Sequence, residues 1–371
     1  MKTHLRMVTE DNHNKDYIMT SNGDNFTVEW GRFGQSMQST TYPNELWDTK
    51  LREKLKKGYR EISLGSNSNL SSFVSISDKP VNDFFNYLLS YSKNNTDLNY
   101  SVAVGSVSKA QIYQAQEYIN KLSIISDIFR FNKTLLDLFH IIPRKMKKVH
   151  DFLLTDLYQA HILLKREQDL LDSLQGQIPI ESGKTITESL GIEIEKCDLD
   201  KGMYHLVDNK NYKILNCFRV KKDDKLEDMP FRFLWHGSRS GNWLSILKEG
   251  LKIRPSGVII TGAMFGHGIY FSPVMRKSIG YTSLYGSHWA NGNNDKGVIG
   301  IYKVNTGKEL RVKSHESYMY NLSKETLMKK GYNSLYAEAG GDLKNPEVVV
   351  YSENQCSIYY IMEVSHEKVS N

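Results

Sequence analysis

Hydrophobic periodicity changes twice along the chain. From residue 1 to about 75, apolar residues come in short alternating runs, as in NKDYIMTSNGDNFTVEWGRFGQ, broken by Asn-Gly and Gly turn signals, which predicts a hairpin-rich sheet. NELWDTKLREKLKKGY then carries Trp47, Leu51 and Leu55 at helical spacing with Leu46 beside them, a helix with Asn44 as its N-cap and Gly58 as its stop. Ser63 to Ser72, rich in Ser and Asn, reads as a linker. From about Ser75 to Gln175 the period lengthens: VSKAQIYQAQEYINKL begins at a Ser108 cap and sets Ile112, Ala115, Ile119 and Leu122 on one side. KKVHDFLLTDLYQAHILLKREQDLLDSL continues that period, and Pro143 in FHIIPRKM marks a connection, so a helical bundle is expected. After Gly176, YKILNCFRVKK, GVIGIYKV and EVVVYSENQCSIYYIMEV predict a mainly antiparallel β domain with one or two helices, notably SGNWLSILKEG, where Trp243, Ile246 and Leu247 share a face. The expected fold class is α+β multidomain: a small α/β domain over 1–74, an all-α bundle over 75–175 and a mainly antiparallel β domain over 176–371.

Composition fits that division. A length of 371 residues favours two or three domains, and 40% apolar with 24% charged residues is ordinary for a soluble protein. No uncharged apolar run is long enough to span a bilayer, and the polar start MKTHLRMVTEDNHNKDY lacks the apolar stretch of a secretory signal, so an intracellular protein with no membrane partner is expected. Cys197, Cys217 and Cys356 lie far apart and in no metal-ligand spacing, so neither disulfides nor a metal site is expected. The net charge of +6 permits a polyanionic partner. Six cations against one carboxylate between Lys50 and Arg60, and a second knot at Arg144, Lys145, Lys147 and Lys148, each read alone as solvated surface.

Several familiar motifs fail. IPIESGKT ends like a phosphate loop but has Ile178 where the first glycine must stand. Gly266 and Gly268 begin a dinucleotide fingerprint whose third glycine is Phe271. There is no HExxH and no nucleophile elbow. Three other elements hold more. LWHGS sets His236 at a strand end with Gly237 and Ser238 beside it, either a satisfied core histidine or a ligand-facing one. GAMFGHGIYFSPVMRKSIGY places three glycines before Tyr270, with Ser278 and Tyr281 at helix-like spacing after it; the tyrosines either fill a core or sandwich a flat heteroaromatic ring. In NPEVVVY, Glu347 opens an apolar strand, solvated at its end or aimed into a cleft.

In this order the three elements resemble the catalytic domain of the poly(ADP-ribose) polymerase family. FLWHGSR, GLKIRP, TGAMFGHGIYFS, KSIGY and EVVVYSENQCSIYYIMEV are all similar to that family's blocks, in sequence order. Upstream, DKPVNDFFNYLL, GSVSKAQI and LLDLFHIIP resemble its helical regulatory domain, and Trp30-Gly31-Arg32 resembles the signature of its WGR domain. The resemblance implies a WGR-like DNA-binding domain over 1–74, a helical regulatory domain over 75–175 and an ADP-ribosyltransferase catalytic domain over 176–371.

It further implies that NAD⁺ is a consumed substrate and that there is no bound cofactor, with ADP-ribose passing to protein acceptors, the chain itself among them, and nicotinamide leaving. His236, Tyr270 and Glu347 would be catalytic; His236, Gly237, Ser238, Tyr270, Lys277, Ser278 and Tyr281 would hold NAD⁺. DNA breaks would be met by Trp30, Arg32, Lys50, Arg52, Lys54, Lys56 and Lys57, in a nuclear role in DNA damage response and repair. No zinc-finger spacing is present, as in the family's smaller DNA-dependent members. Residues 331–347 form a shorter acceptor-side loop than in the large polymerases, with Asn345 in place of a tyrosine; His267 replaces a lysine, and Met264 is retained. Transfer of single units or chains is therefore left open. The alternatives are a catalytically weak DNA-end binding scaffold and an NAD⁺ glycohydrolase.

Overall fold

Alternation in the first sixty residues does build a sheet. The computed structural model describes residues 1–33, 35–62, 74–177, 183–208, 210–253, 264–285 and 295–367. The expected linker at Ser63 to Ser72, the start of TGAMFGHG and the end of GLKIRP lie outside the described residues. The chain divides into two units: Met1–Leu70 with Thr96–Leu171, and Ser71–Asn95 with Asp172–Asn371. The region expected to be all-helical therefore contributes residues to both.

In the first unit, β1 (Lys2–Val8), β2 (Asn14–Asn22), β3 (Asn25–Arg32), β4 (Gln38–Pro43) and β5 (Arg60–Glu61) form one antiparallel sheet in the order β4-β3-β2-β1-β5. Asn22 pairs with Asn25 across a two-residue turn in which Gly23 takes a φ of +64°. Helix α1 (Trp47–Lys56) packs Trp47 against Leu5, Tyr17, Met19, Phe26 and Val28 of the sheet. Asn44 does not cap α1; it opens a preceding 3₁₀ turn, and its side chain donates to Gly23 O at 2.6 Å.

Four helices follow: α2 (Lys79–Asn99), whose residues through Asn95 belong to the second unit, α3 (Lys109–Leu122), α4 (Ile128–Ile141) and α5 (Ala160–Gln175), whose residues from Asp172 onward also belong to the second unit. Ser108 caps α3 in a capping box with Gln111, and Ile112, Ala115, Ile119 and Leu122 are all buried. The long helix expected from residue 147 onward is broken: Val149–Phe152 and Leu157–Gln159 are separate 3₁₀ turns, and α5 starts only at Ala160. Side chains take the backbone donors a helix would have used: Asn12 Oδ1 accepts Val149 N–H at 2.8 Å and Asp156 Oδ1 accepts Tyr158 N–H at 3.0 Å. The second basic knot is likewise not all solvated. Arg144 is 1% exposed, paired with Glu167 at 3.6 Å and set over the Tyr100 ring. Arg6, equally buried, donates to Ser101 Oγ and Asn14 Oδ1 at 2.7 Å and to Arg144 O at 3.2 Å.

Among its described residues the second unit holds nine strands in two sheets: β6 (Glu193–Lys196), β7 (Tyr212–Lys221), β8 (Phe231–Ser238), β9 (Ile269–Phe271), β10 (Gly297–Asn305), β11 (Glu309–Val312), β12 (Ser334–Ala337), β13 (Glu347–Val350) and β14 (Cys356–His366). One sheet runs β6-β7-β14-β10-β8 and is antiparallel throughout; the other runs β11-β12-β13-β9, with β11 and β12 parallel. Among the described residues of this unit, four short helices join them where one or two were expected: α6 (Ile186–Leu190), α7 (Trp243–Glu249), α8 (Met275–Ile279) and α9 (Lys324–Lys329). The alternation of β14 divides its side chains between two cores. Ile361 joins Phe84, Phe85, Phe218 and Trp243, while Met362 joins Cys217, Trp235, Met275 and Ile301.

His140 gives the first unit a pH dependence. Its Nε2 accepts Val8 N–H at 3.2 Å, its Nδ1 donates to Leu136 O at 2.8 Å, and burial pushes its pKa down to about 4. The unfolded chain takes up that proton near pH 6.5, so stability is full above that pH and is lost as the pH falls toward 4. Its loss is expected to be about 3 kcal/mol over this window. Urea titrations at pH 7 and pH 4.5, on wild type and His140→Gln, check this: the variant should lose less stability between the two.

Candidate functional site

A backbone bridge joins the two sheets of the second unit beside the site. Trp235 of β8 and Ser272 after β9 exchange backbone hydrogen bonds of 2.8 and 3.0 Å. One residue on, His236 sets its Nδ1 3.0 Å from Tyr270 O. A carbonyl oxygen only accepts, so Nδ1 carries a proton. Phe271 and Tyr302 pack edge-on to the imidazole, with ring centroids at 5.7 and 5.9 Å. Across the ladder stands Gly300, where a Cβ would come within 2.9 Å of the Tyr302 ring, so the glycine makes room for this aromatic backing.

Tyr270 lies in β9, opposite Val349 of β13. Its hydroxyl accepts Phe265 N–H at 3.1 Å and donates to Gly266 O at 2.9 Å, while Tyr351 donates to Phe265 O at 2.5 Å. Gly266 has a φ of +78° and a Cβ there would sit 2.3 Å from Leu322 O, so the turn that holds Tyr270 demands glycine. Burial, and then the charge of Glu347, raise the Tyr270 hydroxyl well above its ordinary value and keep it protonated.

Glu347 heads β13 and is only 8% exposed. Lys277 of α8 pairs with its Oε1 at 2.6 Å and donates to Asn345 O at 3.1 Å. Ser272 aligns the two segments, its Oγ accepting Val274 N–H at 3.1 Å and donating to Pro346 O at 3.0 Å. Lys277 is thus built into the centre. Tyr281, just past α8, is half exposed, and burial followed by the charge of Glu347 raises its hydroxyl. Ser278 is buried and donates to Trp235 O at 3.1 Å, which leaves its oxygen as an acceptor. Gly237 lies so close that a Cβ would fall 1.8 Å from Ser278 O.

His236, Tyr270 and Ser238 line one cavity of about 270 Å³, together with Asn242, Asp172 and Gln175. Ser238 Oγ accepts Asn242 Nδ2 at 3.1 Å. Glu347, Lys277, Ser278 and Tyr281 are outside that lining. Sequence reasoning missed Asp172 and Gln175, three positions apart in an amphipathic run whose period reports burial and not what the buried face meets. Among the described residues, no group of three or more His, Cys, Asp or Glu is placed to hold a metal ion. Nor is any helix among them long and apolar enough to cross a membrane.

The positions assigned to DNA differ among themselves. Arg32 donates to Asn12 O, Asn12 Oδ1 and Lys147 O at 3.2, 3.1 and 2.8 Å, so its donors serve the fold. Trp30 packs against the core under the sheet, Lys50 pairs with Glu53 at 3.3 Å, and Lys54 lies 4.2 Å from the Tyr17 ring centroid. Arg52, Lys56 and Lys57 are exposed.

Residues 200–366 match the family model of the poly(ADP-ribose) polymerase catalytic domain. The chain is 35% identical over 201 residues to uncharacterized protein 101L of Invertebrate iridescent virus 6, covering 52% of this chain and 85% of that one. It is 35% identical over 171 residues to 100L of the same virus, named as poly(ADP-ribose) polymerase-like, covering 42% of this chain and 87% of that one. Poly(ADP-ribose) polymerase 1 of Gallus gallus is 25% identical over 288 residues, 68% of this chain and 28% of its own.

Gly237→Ala tests the packing of the site directly. Because the added methyl meets a backbone oxygen, β8 or α8 must move, and a loss of about 3 kcal/mol or more is expected in a chemical denaturation curve. Gly340→Ala is the control for strain alone, since a Cβ there meets nothing within 4 Å although φ is +102°.

Proposed function

The chain belongs to the poly(ADP-ribose) polymerase family, and on that premise we propose that it is an ADP-ribosyltransferase that consumes NAD⁺, modifies protein acceptors including itself, and releases nicotinamide. The observation that carries this reading is that His236 is held against Tyr270, both in the wall of a cavity, while the Tyr270 hydroxyl feels the charge of Glu347, itself paired with Lys277. Cleaving the nicotinamide–ribose bond builds positive charge at the ribose carbon, and a fixed carboxylate next to the sugar hydroxyls stabilises it. In this reading Glu347 holds the ribose 2″-hydroxyl and polarises the acceptor, with Lys277 fixing the carboxylate. His236 meets the adenine-side ribose, Gly237 takes the nicotinamide amide through its backbone, Ser278 accepts from it, Ser238 adds a hydroxyl, and Tyr270 and Tyr281 flank the ring. The acceptor oxygen bonds to the ribose carbon as nicotinamide leaves, and the acceptor proton passes toward Glu347.

Dependence on DNA breaks is part of the proposal. It is supported by the alignment of 288 residues with the Gallus gallus relative, which is longer than the span 200–366 and so extends outside it. Arg52, Lys56 and Lys57 are the exposed cations suited to phosphate contact, where charge gives affinity without sequence preference. A nuclear role in DNA repair follows from the same reading.

The test is incubation with labelled NAD⁺, with and without nicked DNA, resolved on a denaturing gel. Protein labelling that rises with DNA and falls about 10²–10⁴-fold in Glu347→Gln is expected; a ladder or a single band reports chain length. Nicotinamide release without labelling would replace the proposal with a glycohydrolase, and DNA binding without turnover with a scaffold.

A further inference from the structure

Cys197 and Cys217 are distant in sequence, yet the fold sets them face to face. Pairing of β6 with β7 runs from Glu193 opposite Lys221 to Lys196 opposite Phe218. It continues one step further, with Cys197 N–H donating to Cys217 O at 3.1 Å. A hydrogen-bonded antiparallel pair holds its Cα atoms about 5.5 Å apart, inside the range of about 4.4–6.8 Å that disulfides span. Opposite residues also project from the same face, and each thiol is among the groups that act on the ionisation of the other. Both are free thiols, Cys197 partly exposed and Cys217 buried.

We infer that Cys197 and Cys217 form a reversible dithiol–disulfide site, closed by a peroxide and opened by a dithiol reductant. The partly exposed Cys197 sulfur attacks one peroxide oxygen; the O–O bond breaks, water leaves and a sulfenic acid remains. The Cys217 sulfur then displaces a second water from it, so that two thiols and one hydrogen peroxide become one disulfide and two waters. Burial raises both thiols, Cys217 to about 12, so little thiolate is present at neutral pH and closure is slow. The bond records sustained oxidation.

What it fastens gives it consequence. Leu199 and Met203, just after Cys197, pack in one core with Cys217, Trp235, Met275 and Ile279. Leu206 O accepts the Trp235 indole N–H at 3.0 Å. The bridge would therefore pin residues 197–206 over the residue that precedes His236 and over the helix that carries Lys277 and Ser278.

The experiment treats the full chain with excess hydrogen peroxide at neutral pH, then unfolds it, alkylates free thiols and maps peptides by mass spectrometry. The expected result is loss of two of the three alkylatable thiols, a linked Cys197–Cys217 peptide pair released by dithiothreitol, and a melting temperature several degrees above that of the reduced protein. Cys197→Ala should leave Cys217 alkylatable and abolish the melting shift. A Cys197 sulfinic acid beside an intact Cys217 thiol, a link to Cys356 or between chains, or three intact thiols after hours of exposure would each overturn it.

Discussion

The reciprocal backbone bridge between Trp235 and Ser272 is the point from which the second unit takes its chemical form. Without it, His236 belongs to one sheet and Glu347 to another. With it, His236 reaches Tyr270 O, and the β9–β13 ladder carries the same alignment to the head of β13, where Glu347 stands. Backbone pairing of this sort is insensitive to side-chain rotamer, so the relative position of two sparse polar groups rests on the stiffest element available. The glycines around it follow from the same demand for close approach: Gly237 under Ser278 O, Gly300 under Tyr302, Gly266 under Leu322 O. Each marks a place where backbone or ring must come nearer than a methyl group permits.

The first unit solves a different problem. Two arginines lie inside it, and their charge is made tolerable by donors spent on carbonyls and amides together with the carboxylates of Asp16 and Glu167. Arg6, Asn14 and Arg32 all reach the segment from Arg144 to Lys147, Asn14 donating to Met146 O at 2.9 Å. The connection after Pro143 is thus held by side chains from β1, β2 and β3 and contributes few regular hydrogen bonds of its own.

Much of this was legible in the sequence where a period or a cap carries the information. Ser108 with its four buried positions, the turn at Gly23, and the Val, Ile and Tyr runs of β7, β10 and β14 stand as the pattern predicts. The break before α5 was not legible, because its cause is Asn12, a residue over a hundred positions away. Arg144 read as surface because charge alone does not reveal Glu167 and Tyr100 waiting in the fold. His236, Tyr270 and Glu347 could be singled out by type and order. Their mutual distances, the Lys277 pair and the cavity wall from α5 depend on pairings between segments distant in sequence.

The place of β14 in its sheet has a consequence for how the chain is made. It is hydrogen-bonded on one side to β7 and on the other to β10, yet it follows both in sequence, as it follows β8. A chain emerging from the ribosome can pair β10 with β8 and β7 with β6, but β7 finds its second neighbour only once residues 356–366 are outside the tunnel. Until then the apolar faces that β14 will divide between two cores lie open, and the strand bearing His236 belongs to a half-sheet. High-separation pairing of this kind is slow and exposes sticky edges. Shelter during synthesis, from the tunnel mouth or a chaperone, is therefore worth most to this fold over the interval between β7 and β14.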